Sequence, residues 1–317
     1  MSLARSDMQR PLLAGALIVL AMAILSLADN TIYVLAPEIG LWQFHLLRSA
    51  LACAMLLAVA RGTGWRLVPD RWWAWGLRSF FAAMSMLFYF GALSLMTMAQ
   101  AGAGLFTSPV FVMVLSVAVF GLRIGRRRLA ALALGFGGTL LMLRPWDAEG
   151  VTPFAAALAV AGGFFYALAA LATRQWCANE PTAAMNMGYF GFMGVLGALG
   201  LAVLTMIRPD ASAGAEGFLL RGWAAPSARA WFWITVQAVF SLLAIGLLIR
   251  GYQMAEASQV AIFEYAFLPF AVLWSFLLFA GVPDFWTYCG MGMIILAGAL
   301  IARAAASVDA PPDDSRR

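Results

Sequence analysis

The sequence predicts an all-α polytopic membrane protein of ten transmembrane helices, arranged as two inverted five-helix repeats. Three observations lead there. The 317 residues are 63% hydrophobic and only 11% charged, with a mean hydropathy of +0.87. Apolar runs of about 20 residues, enough for a helix to cross a hydrocarbon core of about 30 Å, recur along the whole chain. Residues of the fourth and fifth runs return in the ninth and tenth at an offset of 160. A transmembrane β-barrel would instead show short alternating segments of about 10 residues, and none occur.

The ten segments lie at about 11–35, 41–60, 72–95, 99–121, 128–144, 152–175, 184–207, 228–250, 257–280 and 284–304. Arg5 and Arg10 precede the first, as in a secretory signal. The run from Pro11 to Leu35 is longer than a signal core, so it is read as a retained helix. The organisation expected is a cytoplasmic tail over 1–10, a first repeat over 11–145 and a second over 152–304. The polar, proline-containing tail over 305–317 is expected to be disordered.

The offset of 160 pairs Pro109 with Pro269, Gly121 with Gly281, Gly138 with Gly298 and, further back, Gly91 with Gly251. Ala101, Val112 and Leu140 find Ala261, Val272 and Leu300 in the same register. Five helices per unit, an odd number, gives the two units opposite orientation, an architecture common among secondary transporters. Each paired proline removes an intrahelical hydrogen bond near mid-helix and is expected to act as a hinge. Thr107 and Ser108 stand beside Pro109 to help satisfy the freed carbonyl.

Four charges fall inside apolar runs: Asp29, Arg48, Arg78 and Glu264. A charge at a helix centre costs about 2.5–3.5 kcal/mol on insertion scales, so such residues face a bundle interior or a watery cavity. Asp29 and Arg48 share a depth of roughly 10 Å below the outer surface, at 1.5 Å per residue. They are expected as a pair. One reading has the pair lock two helices together. The other has Arg48 line the cavity and hold a substrate carboxylate or phosphate with its planar fork. His45, three residues earlier, shares that helix face. Glu264 lies one turn before Pro269 and has three readings: an ion pair with Arg78, a ligand for a substrate amine, or a carrier of a coupling proton. Arg78 is otherwise free to snorkel to the inner surface. Tyr265, Tyr89 and the mid-helix Trp274 are candidate substrate contacts among the aromatic residues.

Other chemistry is absent from the pattern. No G-x-x-x-x-G-K-[ST] phosphate loop occurs, so no ATPase is built in. One histidine and three scattered cysteines, Cys53, Cys177 and Cys289, give no metal constellation and no disulfide framework. The cysteines are read as small buried hydrophobes. No cofactor, no nucleic-acid partner and no enzymatic activity are expected; the partners are a small-molecule substrate and membrane lipids. The run Arg126-Arg127-Arg128 suits topology and lipid headgroups.

Several stretches resemble a known family. RSFFAAMSMLFYFGALSLMTMAQAGAGLFTSPVFVMVLS is similar to the third and fourth helices of EamA-type transporters of the drug/metabolite transporter superfamily. AEASQVAIFEYAFLPFAVLWSFLLFAGVPDFW, residues 255–286, is similar to their ninth helix and its flanks, and FHLLRS to their second. The resemblance covers about residues 12–304. It implies two EamA repeats in a bacterial inner membrane and a subgroup that includes riboflavin and S-adenosylmethionine transporters, with amino-acid exporters more distant. The chain departs from the pattern twice. It reads GLRIG, with Leu122, where many relatives carry G-E-R. Asn30, Thr31 and Ile32 follow Asp29, where many in the subgroup have a lysine.

Orientation follows from the arginines, which number twenty with no lysine. With the N-terminus inside, inner loops and tails hold fourteen of them and outer loops hold four: Arg144, Arg208, Arg221 and Arg229. This bias places both termini in the cytoplasm. Trp42, Trp72, Trp73, Trp146, Trp176, Trp231 and Trp286 fall near segment ends, as an aromatic belt does. Reporter fusions at Arg317 and within 209–227 are expected to read cytoplasmic and periplasmic respectively. A periplasmic reading at Arg317 contradicts the inverted repeat.

Overall fold

The computed structural model of the chain describes residues 11–93, 95–147, 152–211 and 217–309, and every regular element among them is helical. The helices are α1 (Pro11–Asn30), α2 (Ile32–Leu35), α3 (Leu41–Thr63), α4 (Trp72–Leu93), α5 (Met98–Leu105), α6 (Ser108–Ala118), α7 (Arg126–Leu143), α8 (Pro153–Gln175), α9 (Thr182–Ile207), α10 (Ala228–Met254), α11 (Ala257–Val260), α12 (Phe267–Phe279) and α13 (Phe285–Asp309). A 3₁₀ segment, Ala261–Ala266, joins α11 to α12. Nine helical stretches among the described residues are long and apolar enough to cross a membrane, by length and composition. The segment expected as the fifth span, α7, has 18 residues but begins with Arg126, Arg127 and Arg128.

The ends differ from expectation. The tail over 1–10 and residues 310–317 lie outside the described residues. The tail expected to be disordered from 305 continues α13 to Asp309, because alanines favour extending a helix already begun. The first segment is not one helix: a turn at Thr31, whose hydroxyl donates to the Ala28 carbonyl at 2.7 Å, separates α1 from α2.

Four helix pairs dominate the packing: α1 with α10, α3 with α9, α4 with α8, and α7 with α13. Each closes on a glycine, where a Cβ would strike the partner's backbone or side chain. At Gly251 it would lie 2.6 Å from Ile18, and at Gly197 2.6 Å from the Leu46 nitrogen. At Gly162 it would lie 3.3 Å from the Ser85 carbonyl, and at Gly138 2.7 Å from that of Gly290. Lipid supplies no hydrophobic drive between helices, so close approach at small residues is the usual means of association in a membrane. Secondary contacts join α5 and α6 to α8, α12 to α1, α4 to α9 and α3 to α10. Large apolar side chains such as Leu199, Ile207, Phe232, Leu277 and Ile295 are exposed. A chain surrounded by hydrocarbon carries such a surface without penalty.

Two helices are broken, and the prolines explain where. Pro109 is the second residue of α6, after a break at Phe106–Thr107; Pro269 is the third residue of α12, after the 3₁₀ segment. The sequence suggests that each kinks a continuous helix near its middle, and neither does. Each sits in the first turn of a new one, where the missing N–H has no intrahelical partner to lose. The Thr107 hydroxyl donates to the Gly104 carbonyl at 2.6 Å. Beside this break α8 presents Gly163, whose Cβ would stand 2.7 Å from the Gly104 oxygen and 3.0 Å from that of Leu105.

Loops are tied at both ends of the bundle. At the end expected outside, the Gln43 side chain both donates to and accepts from the Ala224 backbone, at 2.6 and 2.9 Å. Arg221 there donates to the carbonyls of Ala36 and Ile39. At the end expected inside, the Glu180 carboxylate accepts from the Asp70 and Arg71 N–H groups at 2.6 and 2.9 Å. Gln253 donates to the carbonyls of Cys177 and Glu180.

Candidate functional site

Asp29, Arg48, Arg78 and Glu264, the four charges within apolar runs, are each held by a neutral partner. Arg48 lies on α3 and is 6% exposed. One guanidinium Nη meets the His45 Nδ1 at 3.2 Å. Arginine only donates, so Nδ1 accepts, and the neutral ring carries its proton on Nε2. The guanidinium stacks over Phe44 at 5.1 Å and over Phe190 of α9 at 5.9 Å, while His45 leans on Phe90 at 4.5 Å. The i, i+3 spacing seen in the sequence therefore does put His45 and Arg48 on one face. The Arg48 Nε and His45 Nε2 have no hydrogen-bond partner among the described residues. A buried orphan of this kind costs about 1–3 kcal/mol, so its persistence calls for an explanation.

The expected Asp29–Arg48 pair is not formed. Ion pairs among the described residues include Arg66–Asp70, Arg128–Glu256 and the links from Arg144 to Asp147 and Asp284, and neither Asp29 nor Arg48 takes part in these. Asp29 instead accepts from Gln237 of α10 at 3.4 Å, and the same amide donates to the Ala28 carbonyl at 2.8 Å. The reason lies in the packing. A short connection joins the first two spans, yet α1 lies against α10 and α12, and α3 against α9 and α10. Helix α10 thus takes the place beside α1 that the sequence suggested for α3.

Glu264 pairs with no arginine either. Its carboxylate accepts from the Tyr252 hydroxyl at 2.6 Å and the Tyr166 hydroxyl at 3.2 Å, in the 3₁₀ segment where the helix is broken. Arg78 does not snorkel. It is 6% exposed, its Nε donates to Thr173 of α8 at 3.2 Å, and its Nη1 has no partner among the described residues.

The remaining candidates divide. Tyr265 is fully buried among Ile262, Ile294 and Ala297, its ring against Gly135 of α7, and so belongs to a helix-packing core. Trp274 donates its indole N–H to the Ala23 carbonyl at 2.9 Å and ties α12 to α1. Tyr89 is half-buried where α4 crosses α8 at Gly162. A cavity of about 630 Å³ lies between α1, α12 and α13, lined by Val19, Phe263, Pro269, Phe270 and Ile294, and none of the four charges borders it. Sequence reasoning missed Gln237, Tyr166, Thr173 and Phe190. Gln237 was detectable as a lone amide in the apolar run ITVQAVF. No His/Cys/Asp/Glu group among the described residues is arranged to hold a metal ion. Cys177, in the loop after α8, is buried and its thiol is pushed up to about 11 by that burial.

A bundle of long apolar helices with two breaks and charges held inside is the plan of a multi-pass membrane transport protein. Residues 12–144 match the EamA-like transporter family, and this stretch is an EamA domain. The chain is 26% identical to the riboflavin transporter of Vibrio cholerae over 81% of each chain. It is 26% identical to the pseudopaline exporter of Pseudomonas aeruginosa, over 81% of this chain and 84% of that one. The riboflavin transporter of Rhizobium johnstonii is also 26% identical, over 73% and 70% of the two chains. A solved crystal structure shares the fold with a TM-score of 0.73 at 18% identity, covering 94% of this chain and 98% of that one.

The Glu264 cradle yields a stability test. Tyr252→Phe removes the shorter hydrogen bond to a buried carboxylate and is expected to cost about 1–3 kcal/mol. Thermal unfolding in detergent reads this as a lowered midpoint relative to Tyr288→Phe, which removes a hydroxyl from a residue that is 54% exposed. Equal midpoints for the two variants contradict the cradle.

Proposed function

We propose that the chain is a secondary transporter that moves a small polar organic metabolite across the membrane by alternating access between two five-span units. The units are an inverted pair of EamA repeats over 11–145 and 152–304, with both termini cytoplasmic. The observation that carries this reading is the symmetry of the packing. Number the spans in chain order, with α5–α6 as the fourth and α11–α12 as the ninth. Exchange each span for the one five places on. The pairs α3–α9 and α7–α13 map onto themselves. The contact α4–α8 maps onto α10–α1, the contact of α5 and α6 with α8 onto that of α12 with α1, and α4–α9 onto α10–α3. The breaks before Pro109 and Pro269 correspond under the same exchange and are the elements proposed to bend.

In this reading Arg48 faces the substrate path, and its free Nε with the His45 Nε2–H receives a substrate carboxylate or phosphate. Phe44, Phe190 and Phe90 supply aromatic faces beside it. Glu264, between two tyrosine hydroxyls at the second break, is the group for a substrate amine or a coupling proton. A membrane-embedded enzyme, the rival reading, needs catalytic groups gathered near one interface, and these four charges are held at separate helix contacts. The relatives named riboflavin transporter and pseudopaline exporter support a polar organic cargo.

A thermal-shift screen of purified protein against flavins, nucleosides, amino acids and polyamines identifies a ligand by its stabilisation. Uptake of that ligand into proteoliposomes then tests Arg48. Arg48→Lys is expected to fold and to lose transport by about tenfold or more, because a point charge replaces a planar, stacking donor. Asp29→Asn with Arg48→Gln is expected to remain impaired in transport, since the two residues form no ion pair whose joint removal would restore the site. Wild-type transport by Arg48→Lys, or recovery in the double variant, contradicts the assignment.

A further inference from the structure

The tripeptide Leu-Arg-Ser occurs twice inside apolar helices: Leu47-Arg48-Ser49 on α3 and Leu77-Arg78-Ser79 on α4. Both helices pack on α9. Each serine sits against a glycine of that helix. Ser49 faces Gly194, whose Cβ would stand 3.2 Å from the serine Cβ, and the Ser79 hydroxyl faces Gly188. The four side chains are buried: Arg48 and Arg78 are each 6% exposed, Ser49 1% and Ser79 0%. Each pair also has the same defect. The Arg48 Nε, Ser49 Oγ, Arg78 Nη1 and Ser79 Oγ have no hydrogen-bond partner among the described residues, and neither guanidinium has a carboxylate within ion-pair distance.

Helix serines and threonines ordinarily satisfy themselves on a preceding carbonyl. Four threonines of this chain do so: Thr139 on Gly135, Thr173 on Ala169, Thr205 on Leu201 and Thr235 on Trp231, at 2.8 to 3.0 Å. Ser49 and Ser79 do not, and neither do Ser85 and Ser116; of these four, Ser49 and Ser79 are the two that adjoin an arginine. Each of these two serines follows in the chain an arginine with an open N–H, so an anion reaching both would satisfy donors that the protein leaves unmet.

We propose that Arg78 and Ser79 form a second anion station, paired with Arg48 and Ser49, and that the ligand is an organic anion carried along α9 from one to the other. The proposal rests on the reading of Arg48 as a substrate contact. The glycines that seat the two serines are six residues apart. At 1.5 Å per residue the stations are offset by about 9 Å along α9, too far for one carboxylate or phosphate to occupy both at once. The anionic group therefore rests first at one and then at the other. Phe190 beside Arg48 and Tyr189 beside it in sequence supply rings on the intervening turn of α9.

Arginine modification tests the proposal on the unaltered protein. Purified protein in detergent is treated with phenylglyoxal, and labelling of Arg48 and Arg78 is followed by peptide mass spectrometry. The probes are inorganic phosphate, citrate and flavin mononucleotide, with uncharged riboflavin as control for the flavin ring. Because one anionic group divides its time between the stations, at least one anion at saturation is expected to slow labelling of both arginines, by about twofold each if the time is shared equally, and riboflavin is not. Protection of Arg48 alone overturns the second station and leaves the Arg48 reading standing. Protection of neither arginine overturns both, as does equal protection by riboflavin. An Arg78 that the reagent never labels overturns the second station, since no ligand would reach it either.

Discussion

In the hydrocarbon core of a bilayer no water is available to satisfy a polar group, so every buried N–H, C=O and charge needs a partner from the protein. The architecture follows from this constraint. It makes the chain helical, and it limits where a helix can break. The gap at Phe106–Thr107 is tolerated because Thr107 takes the Gly104 carbonyl and α8 approaches at Gly163. The second break is tighter, a 3₁₀ segment rather than a gap, and α7 and α1 close over it at Gly135 and Gly15.

The same constraint governs the charges. Paired with each other, Asp29, Arg48, Arg78 and Glu264 would make buried ion pairs, and separating such a pair is strongly destabilising. Here each is held by a neutral group: Gln237, His45, Thr173, or two tyrosine hydroxyls. A neutral partner orients a charge without cancelling it, so a ligand can engage the charge without first breaking an ion pair. True ion pairs lie toward the loops instead, as in Arg128–Glu256 and Arg144–Asp284, where solvent softens their loss.

Much of this was readable from composition and spacing. Apolar runs located nine spans, because membrane thickness sets a length that sequence displays directly. The offset of 160 located both breaks, since Pro109 and Pro269 each begin a helix at corresponding places. The four buried charges stood out by rarity alone. Their partners did not, because partnership depends on which helices meet. Gln237 is 208 residues from Asp29, and nothing in the run around either names the other. Neighbours in sequence misled: the first two spans are joined by a short loop, yet α10 takes the expected place of α3 beside α1. Tyr265 and Trp274 stand out by residue type, but sequence does not show that the first lies in a packed core or that the second donates to a carbonyl of α1.

The central claim is that two five-span units rock about the breaks ahead of Pro109 and Pro269, so that the two ends of the bundle open in turn. Spin labels test it in a background where Cys53, Cys177 and Cys289 are replaced. One label pair, at Gly62 and Asn179, reports on the end expected inside; another, at Pro37 and Asp210, reports on the end expected outside. Pulsed electron–electron distances in liposomes should show two populations at each end, with one end widening as the other narrows when ligand is added. Pro109→Ala with Pro269→Ala should collapse each to a single population. One unchanging distance at both ends, or both ends widening together, contradicts alternating access.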